Sequence, residues 1–167
     1  MADYRRIYVP GGTYFFTLVT RDRMPWLADD TGRAILGDAM RLVRARRPFR
    51  TRAIVVLPDH LHCMWTLPPD DPDFSGRWKS IKQRCTAGLK RARQFPGGAW
   101  QRHFWEHLIR DEEDFRRHVE YIHYNPVKHG LCEQPRDWAA SSFHRYVAVG
   151  AYRSDWAESP DLDHNPE

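Results

Sequence analysis

The stretch Ala53-Ile54-Val55-Val56-Leu57-Pro58-Asp59-His60-Leu61-His62-Cys63-Met64-Trp65-Thr66-Leu67 holds two apolar runs separated by a Pro-Asp link. It predicts two antiparallel strands, 51–57 and 60–67, joined as a hairpin. Strand side chains alternate between faces. Leu61, Cys63, Trp65 and Leu67 therefore form a core face, and His60, His62, Met64 and Thr66 share the other. Two imidazoles then stand side by side at the mouth of the strand. Neutral imidazole is a common metal ligand, so the pair is a candidate clamp for one ion. A bare His-x-His is more often two sheet histidines with no ligand, and the spacing alone is weak evidence for a metal site.

Upstream, Gly11-Gly12 opens a strand over 13–20, and 29–46 reads as a helix with Ile35, Leu36, Met40 and Val43 inward. Downstream, a second helix runs from Asp73 to about Gln94, with Trp78, Ile81, Cys85 and Leu89 inward, until Phe95-Pro96-Gly97-Gly98 breaks it. A fourth strand follows over 100–110. The order is βαββαβ, so the fold class is α+β: a ferredoxin-like antiparallel sheet with two helices on one face.

A third helix is expected over 111–125, capped by Asp111 or Asp114. Phe115, Val119 and Ile122 form its buried stripe, and Tyr121 and Asn125, four apart, share one flank. Pro126 predicts that the helix ends at Asn125, which puts that amide at a helix terminus. Tyr124, three residues from Tyr121, is a second tyrosine on the same helix. The boundaries read as one domain over 1–150 and a flexible acidic tail over 151–167; from Asp155 onward there are five acids and no Lys or Arg. Between them, Trp138 and Phe143 either pack on the domain or stack on unpaired bases.

The chain has 167 residues, with 26 Lys and Arg against 22 Asp and Glu. Only Lys79, Lys82, Lys90 and Lys128 are lysine; arginine's planar fork suits phosphate oxygens and base edges. From Arg77 to Arg93 there are seven basic residues and no acid, a one-sided charge that a merely solvated helix seldom carries. Arg77, Lys79, Lys82 and Arg84 are therefore candidate phosphate contacts. Arg5 and Arg6 read equally as a binding arm or a frayed terminus. Glu106 reads equally as a metal-adjacent carboxylate or an exposed strand glutamate. The histidines at 103, 107, 118, 123, 129 and 144 form no tight ligand spacing. Three scattered cysteines, no signal-like start and no membrane-length apolar run point to a cytoplasmic protein with no membrane partner.

Taken together, several blocks resemble one family. They are Gly11-Gly12-Thr13-Tyr14-Phe15-Phe16-Thr17, Leu57-Pro58-Asp59-His60-Leu61-His62, Trp100-Gln101-Arg102-His103-Phe104-Trp105-Glu106, Tyr121-Ile122-His123-Tyr124-Asn125-Pro126-Val127-Lys128-His129-Gly130-Leu131 and Trp138-Ala139-Ala140-Ser141-Ser142-Phe143. The chain resembles the REP-associated tyrosine transposases, within the single-tyrosine transposases and the larger group of HUH endonucleases. The resemblance implies the same ferredoxin-like fold, with the tyrosine helix across the open sheet face. It implies metal ligands at His60, His62 and Asn125, a nucleophile at Tyr121, and Mg²⁺ or Mn²⁺ as cofactor. It also implies a single-stranded DNA or REP-type hairpin substrate cut through a 5′-phosphotyrosine, with DNA contacts at Arg5, Arg6, Arg77, Lys79, Lys82 and Arg84. Such a protein works as a monomer or homodimer and associates with the nucleoid when bound to DNA. The rival readings are a hairpin-binding regulator that does not cut, an RNA-binding ferredoxin-like module, and an initiator nuclease.

Overall fold

The computed structural model describes residues 5–160 and 162. Strand β1 (Thr13–Val19) is followed by helix α1 (Asp30–Arg46), strands β2 (Arg50–Val56) and β3 (His60–Thr66), helix α2 (Phe74–Ala92), strand β4 (Trp105–Leu108), and helices α3 (Glu112–Lys128) and α4 (Phe143–Ala148). The sheet order is β2-β3-β1-β4 and every pairing is antiparallel. This is the expected ferredoxin-like arrangement, with the third helix added.

Alternation sorts the sheet into two cores. Tyr14, Phe16, Leu18, Leu61, Cys63 and Trp65 are buried beneath α1 and α2 together with Leu36, Val43, Trp78, Ile81 and Leu89. Trp65 stacks between Phe49 and Trp78, with ring centroids 4.0 and 4.1 Å away. Helices α1 and α2 meet closely at Gly88, where a Cβ would lie 2.8 Å from Ile35 Cγ2. The opposite face carries Phe15, Ala53, Val55 and Met64, which pack against Val119, Tyr121 and Ile122 of α3. A register shift between Thr51 and Ala53 keeps Ala53 and Val55 on the face of Met64 and His62.

Two expectations are corrected. First, α3 does not end at Asn125 but continues through Pro126 to Lys128. Pro126 has no N–H to return to Ile122, yet the helix closes beyond it: the His129 N–H donates to the Asn125 carbonyl and the Gly130 N–H to that of Val127. Gly130, at φ +67°, provides the left-handed exit. Proline's effect on the preceding residue is a bias, and packing of the Tyr121 turn on the sheet outweighs it.

Second, β4 is shorter than 100–110. Trp100 makes only an isolated bridge to Thr20. The carbonyls of Gln101 and Arg102 accept from Lys82 Nζ, and that of Phe104 from Arg6, so cations take the place of a strand partner. The segment past Gly130 packs on the domain, one of the two expected alternatives, and is built into the sheet edge. Ala140 and Ser142 hydrogen-bond to Val56 and Ile54, and the Trp138 indole donates to the Val56 carbonyl. Aromatic stacking continues past 150. Tyr152 stacks on Phe143 at 5.6 Å and on Trp156 at 4.6 Å. Leu162 packs against the α3 core. Of the expected acidic tail, Asp161 and Asp163 to Glu167 lie outside the described residues.

Candidate active site

His60 and His62 lie on the α3 face of β3, opposite Val19 and Thr17 of β1. Each ring is held through Nδ1. The Asp59 carboxylate accepts from His60 at 2.6 Å, and the Thr17 hydroxyl lies 2.8 Å from His62 Nδ1. Arg23 pairs with the other oxygen of Asp59 at 3.1 Å. Burial works to raise the Asp59 pKa, but His60 and Arg23 outweigh it, and the carboxyl stays below its ordinary range. With Nδ1 engaged in both rings, Nε2 is the nitrogen that could coordinate an ion, the arrangement in which a carboxylate or hydroxyl orients a metal-bound histidine.

The ring centroids of His60 and His62 are 5.1 Å apart, at 82°. Two imidazoles sharing one ion through bonds of about 2.0 Å at a tetrahedral angle would have centroids about 5 Å apart. The pair therefore fits a shared divalent ion. His129, just past α3, brings a third imidazole within 5.0 Å of His60. Nothing in its spacing predicted this, because it arrives only when the helix runs on past Pro126.

Tyr121 is buried with its ring 5.3 Å from that of His62. Phe15 backs both, at 5.6 Å from His62 and 5.9 Å from Tyr121. Lys128 Nζ donates to the Tyr121 hydroxyl at 3.2 Å and lies 4.9 Å from the ring centroid. Asn125 is fully buried one turn after Tyr121 on the same flank, inside the helix and not at its terminus. The donor set of two imidazoles and an amide oxygen suits a divalent ion that also accepts phosphate oxygen.

Other candidate residues fall elsewhere. Glu106 pairs in register with Phe16, so it lies on the α1/α2 face, away from the histidines. There it is buried and meets Arg6 at 3.6 Å; it is neither metal-adjacent nor exposed. Arg6 is no loose arm: it lies 3.9 Å over the Phe104 ring and donates to Ser75 and Phe104. Arg5 is exposed.

Arg77 is fully buried. Its guanidinium donates to the carbonyls of Arg47, Pro48 and Asp73 and to the Asp71 carboxylate, leaving no surface for a phosphate. That is a correction: its charge serves the fold, by joining the α1–β2 turn to the start of α2. Lys79 and Arg84 are exposed, while Lys82 is half-buried, with its pKa pulled down to about 8 by burial and then by Arg6. All of α2 lies on the face of the sheet opposite the histidines. Arg46, Arg47 and Arg84 line a groove of about 450 Å³ between α1 and α2 there.

A further cluster went unseen in the sequence. His107 of β4 and Asp114 and His118 of α3 bring ligand atoms within 4.8 Å of one another, a group that could hold a metal ion. It is also joined by hydrogen bonds. The Asp114 carboxylate accepts from His107 at 2.8 Å and from the Arg110 backbone at 2.9 Å, and His118 Nδ1 donates to the Asp114 backbone carbonyl at 2.8 Å. The two rings lie nearly parallel, 13° apart in plane. The spacing of Asp114 and His118 was legible as one helix face; His107 joins them only through the β4–α3 turn.

An antiparallel ferredoxin-like sheet, with paired histidines facing a tyrosine carried on an added helix, is the layout of a single-tyrosine transposase. No protein-family model matches the chain. It is 50% identical over 159 residues to the REP-associated tyrosine transposase of Escherichia coli K12, covering 94% of this chain and 92% of that protein. It is 44% identical over 172 residues to a putative REP-associated tyrosine transposase of Haemophilus influenzae, covering 97% of each. A solved structure of a REP-associated tyrosine transposase bound to a REP hairpin matches with a TM-score of 0.86 and 48% identity, covering 98% of this chain and 96% of that one. A putative transposase from Deinococcus radiodurans R1 shares the fold at a TM-score of 0.51 and 22% identity, over 71% of this chain and 92% of that one. The chain belongs to the REP-associated tyrosine transposase family. No helix among the described residues is long and apolar enough to cross a membrane.

Proposed function

We propose that this protein binds a REP-type DNA hairpin and cuts and rejoins the adjoining single strand, with Tyr121 as nucleophile. The observation that carries the reading is the meeting of the Tyr121 ring with His62, beside a second histidine held by Asp59. The relative solved with a REP hairpin supports the substrate class.

His60, His62 and Asn125 would hold the ion, Mg²⁺ or Mn²⁺, which when bound supplies charge neutralisation at the scissile phosphate. Asp59 and Thr17 fix the two imidazoles. Tyr121 Oη forms a bond to phosphorus, and the bond from phosphorus to the 3′ oxygen breaks. The phenolic proton passes to solvent, and the 3′ oxygen takes up a proton from water. The 5′-phosphotyrosine keeps the phosphodiester's bond energy, so a second 3′-hydroxyl can reverse the step without a nucleotide cofactor. A buried phenol has a pKa near 10 in water and needs a cation beside it to react as the anion.

The hairpin stem requires a cationic surface. Lys79, Arg84 and the α1–α2 groove supply one on the far face, with the exposed Arg5 and Arg102 as further cations. Arg77 and Arg6, bound within the fold, are left out of that surface. The test uses a labelled hairpin carrying single-stranded flanks, with Mn²⁺ or with EDTA. The unaltered chain should cleave only with metal. Tyr121→Phe should bind the hairpin normally and cut nothing. Cleavage by Tyr121→Phe would move the nucleophile to Tyr124, and binding without cleavage by the unaltered chain would favour the regulator.

A further inference from the structure

Tyr121 and Lys128 are two helical turns apart, about 10.5 Å along the axis of α3. They can meet because helix side chains lean toward the N-terminus, so Lys128 reaches back over the preceding turns. They do meet, at 3.2 Å between Nζ and the phenolic oxygen. This contact exists only because α3 continues through Pro126 for its last turn. Had the helix stopped at Asn125, Lys128 would have no helical register with Tyr121.

We propose that Lys128 is the positioning residue for the reacting tyrosine: its ammonium fixes the phenolic oxygen in front of the histidine pair during both cleavage and rejoining. The inference rests on Tyr121 being the nucleophile. Two contacts define the position. The hydrogen bond fixes the oxygen, and the ammonium at 4.9 Å from the centroid fixes the ring plane. Phe15 closes the other side of the ring, edge-on at 72°. A charged donor also holds an oxygen more tightly as negative charge gathers on it in the transition state. The same oxygen is the attacking atom in cleavage and the leaving atom in rejoining, so Lys128 should speed both directions alike and leave their balance unchanged.

The test measures covalent adduct over time in single-turnover reactions, with the full chain, excess hairpin bearing single-stranded flanks, and Mn²⁺. Lys128→Met should reach the same final adduct level as the unaltered chain but approach it about ten- to a hundredfold more slowly. Hairpin affinity should stay within about twofold, since the phenol and not the stem is affected. Lys128→Arg, which restores a cation with a different shape, should recover part of the rate. Lys128→Gln keeps a donor without the charge and should remain slow.

An unchanged rate in both the Met and Gln variants would overturn the proposal. A lower final level at an unchanged rate would also overturn it, because Lys128 would then only keep a fraction of the protein folded. Failure of the unaltered chain to form any adduct would instead defeat the reading of Tyr121 as nucleophile.

Discussion

Replacing Arg77 with Met separates the fold's use of charge from the DNA's. The side chain is fully buried, on a helix whose Phe74 and Trp78 are fully buried too. Methionine keeps most of the methylene stem and removes the guanidinium. Three backbone carbonyls then lose a donor: Asp73 at 2.7 Å, Pro48 at 2.8 Å and Arg47 at 3.2 Å. Each buried acceptor left without its partner costs about 1–3 kcal/mol. The pair with Asp71 adds little, because that carboxylate is 35% exposed and water screens it. The three losses sum to about 3–9 kcal/mol. In a domain of this size each kcal/mol moves Tm by about 2–4 °C, so Arg77→Met should lower Tm by at least about 6 °C. Lys79→Ala, two residues further along α2 and exposed, should leave stability within about 0.5 kcal/mol. Calorimetry gives Tm, and hairpin titration at several salt concentrations, well below the lowered Tm, gives the number of phosphate contacts. The Arg77 variant should keep the salt slope of the unaltered chain. A Tm within about 2 °C, together with a shallower slope, would refute the structural role and return Arg77 to the DNA surface.

Two further outcomes follow from the hydrogen bonds around the histidines. Thr17→Val removes the hydroxyl 2.8 Å from His62 Nδ1 at nearly constant volume, and should weaken Mn²⁺ binding by about ten- to a hundredfold, measured by calorimetry on the DNA-free protein. Unchanged affinity would mean that His62 is not a ligand through Nε2. Asp114 predicts a pH effect: burial opposes its charge, but the Arg110 N–H, His107 and the Arg110 side chain outweigh burial and hold it at about 2. Unfolded, it titrates at about 4, so its contribution is present above about pH 4 and is lost as pH falls towards 2. Asp114→Asn should be less stable at neutral pH and should lose less on acidification between about pH 4 and pH 2, followed by urea titration; an unchanged acid slope would contradict the assignment.

The hydrophobic alternation of 60–67 decided the fold because period-two patterning fixes faces directly. It put Leu61, Cys63 and Trp65 under the helices and His60 and His62 on the other side, and the structure agrees. The helical stripes of α1 and α2 were legible for the same reason. The misreadings arose where a residue's role depends on partners distant in sequence. Arg77 and Lys82 lie in a basic run that reads as phosphate-binding, but their partners are carbonyls of residues 19 to 30 positions away. Glu106 is one strand position from the histidine face, and only the start of β4 decides which way it points. Asp59 and Thr17 became visible as histidine supports through the β1–β3 register, and Lys128 through a helix that passed a proline. The motifs located the tyrosine and the histidines; the packing added what holds them.

The most direct measurement maps the covalent bond. The protein is allowed to react with a hairpin carrying single-stranded flanks in Mn²⁺, the DNA is digested to the linked nucleotide, and tryptic peptides are read by mass spectrometry. The nucleotide adduct is predicted on the phenolic oxygen of Tyr121, joined through a 5′-phosphate, and absent when EDTA replaces the metal. An adduct on Tyr124, or cleavage that leaves no nucleotide on either tyrosine, would contradict the account.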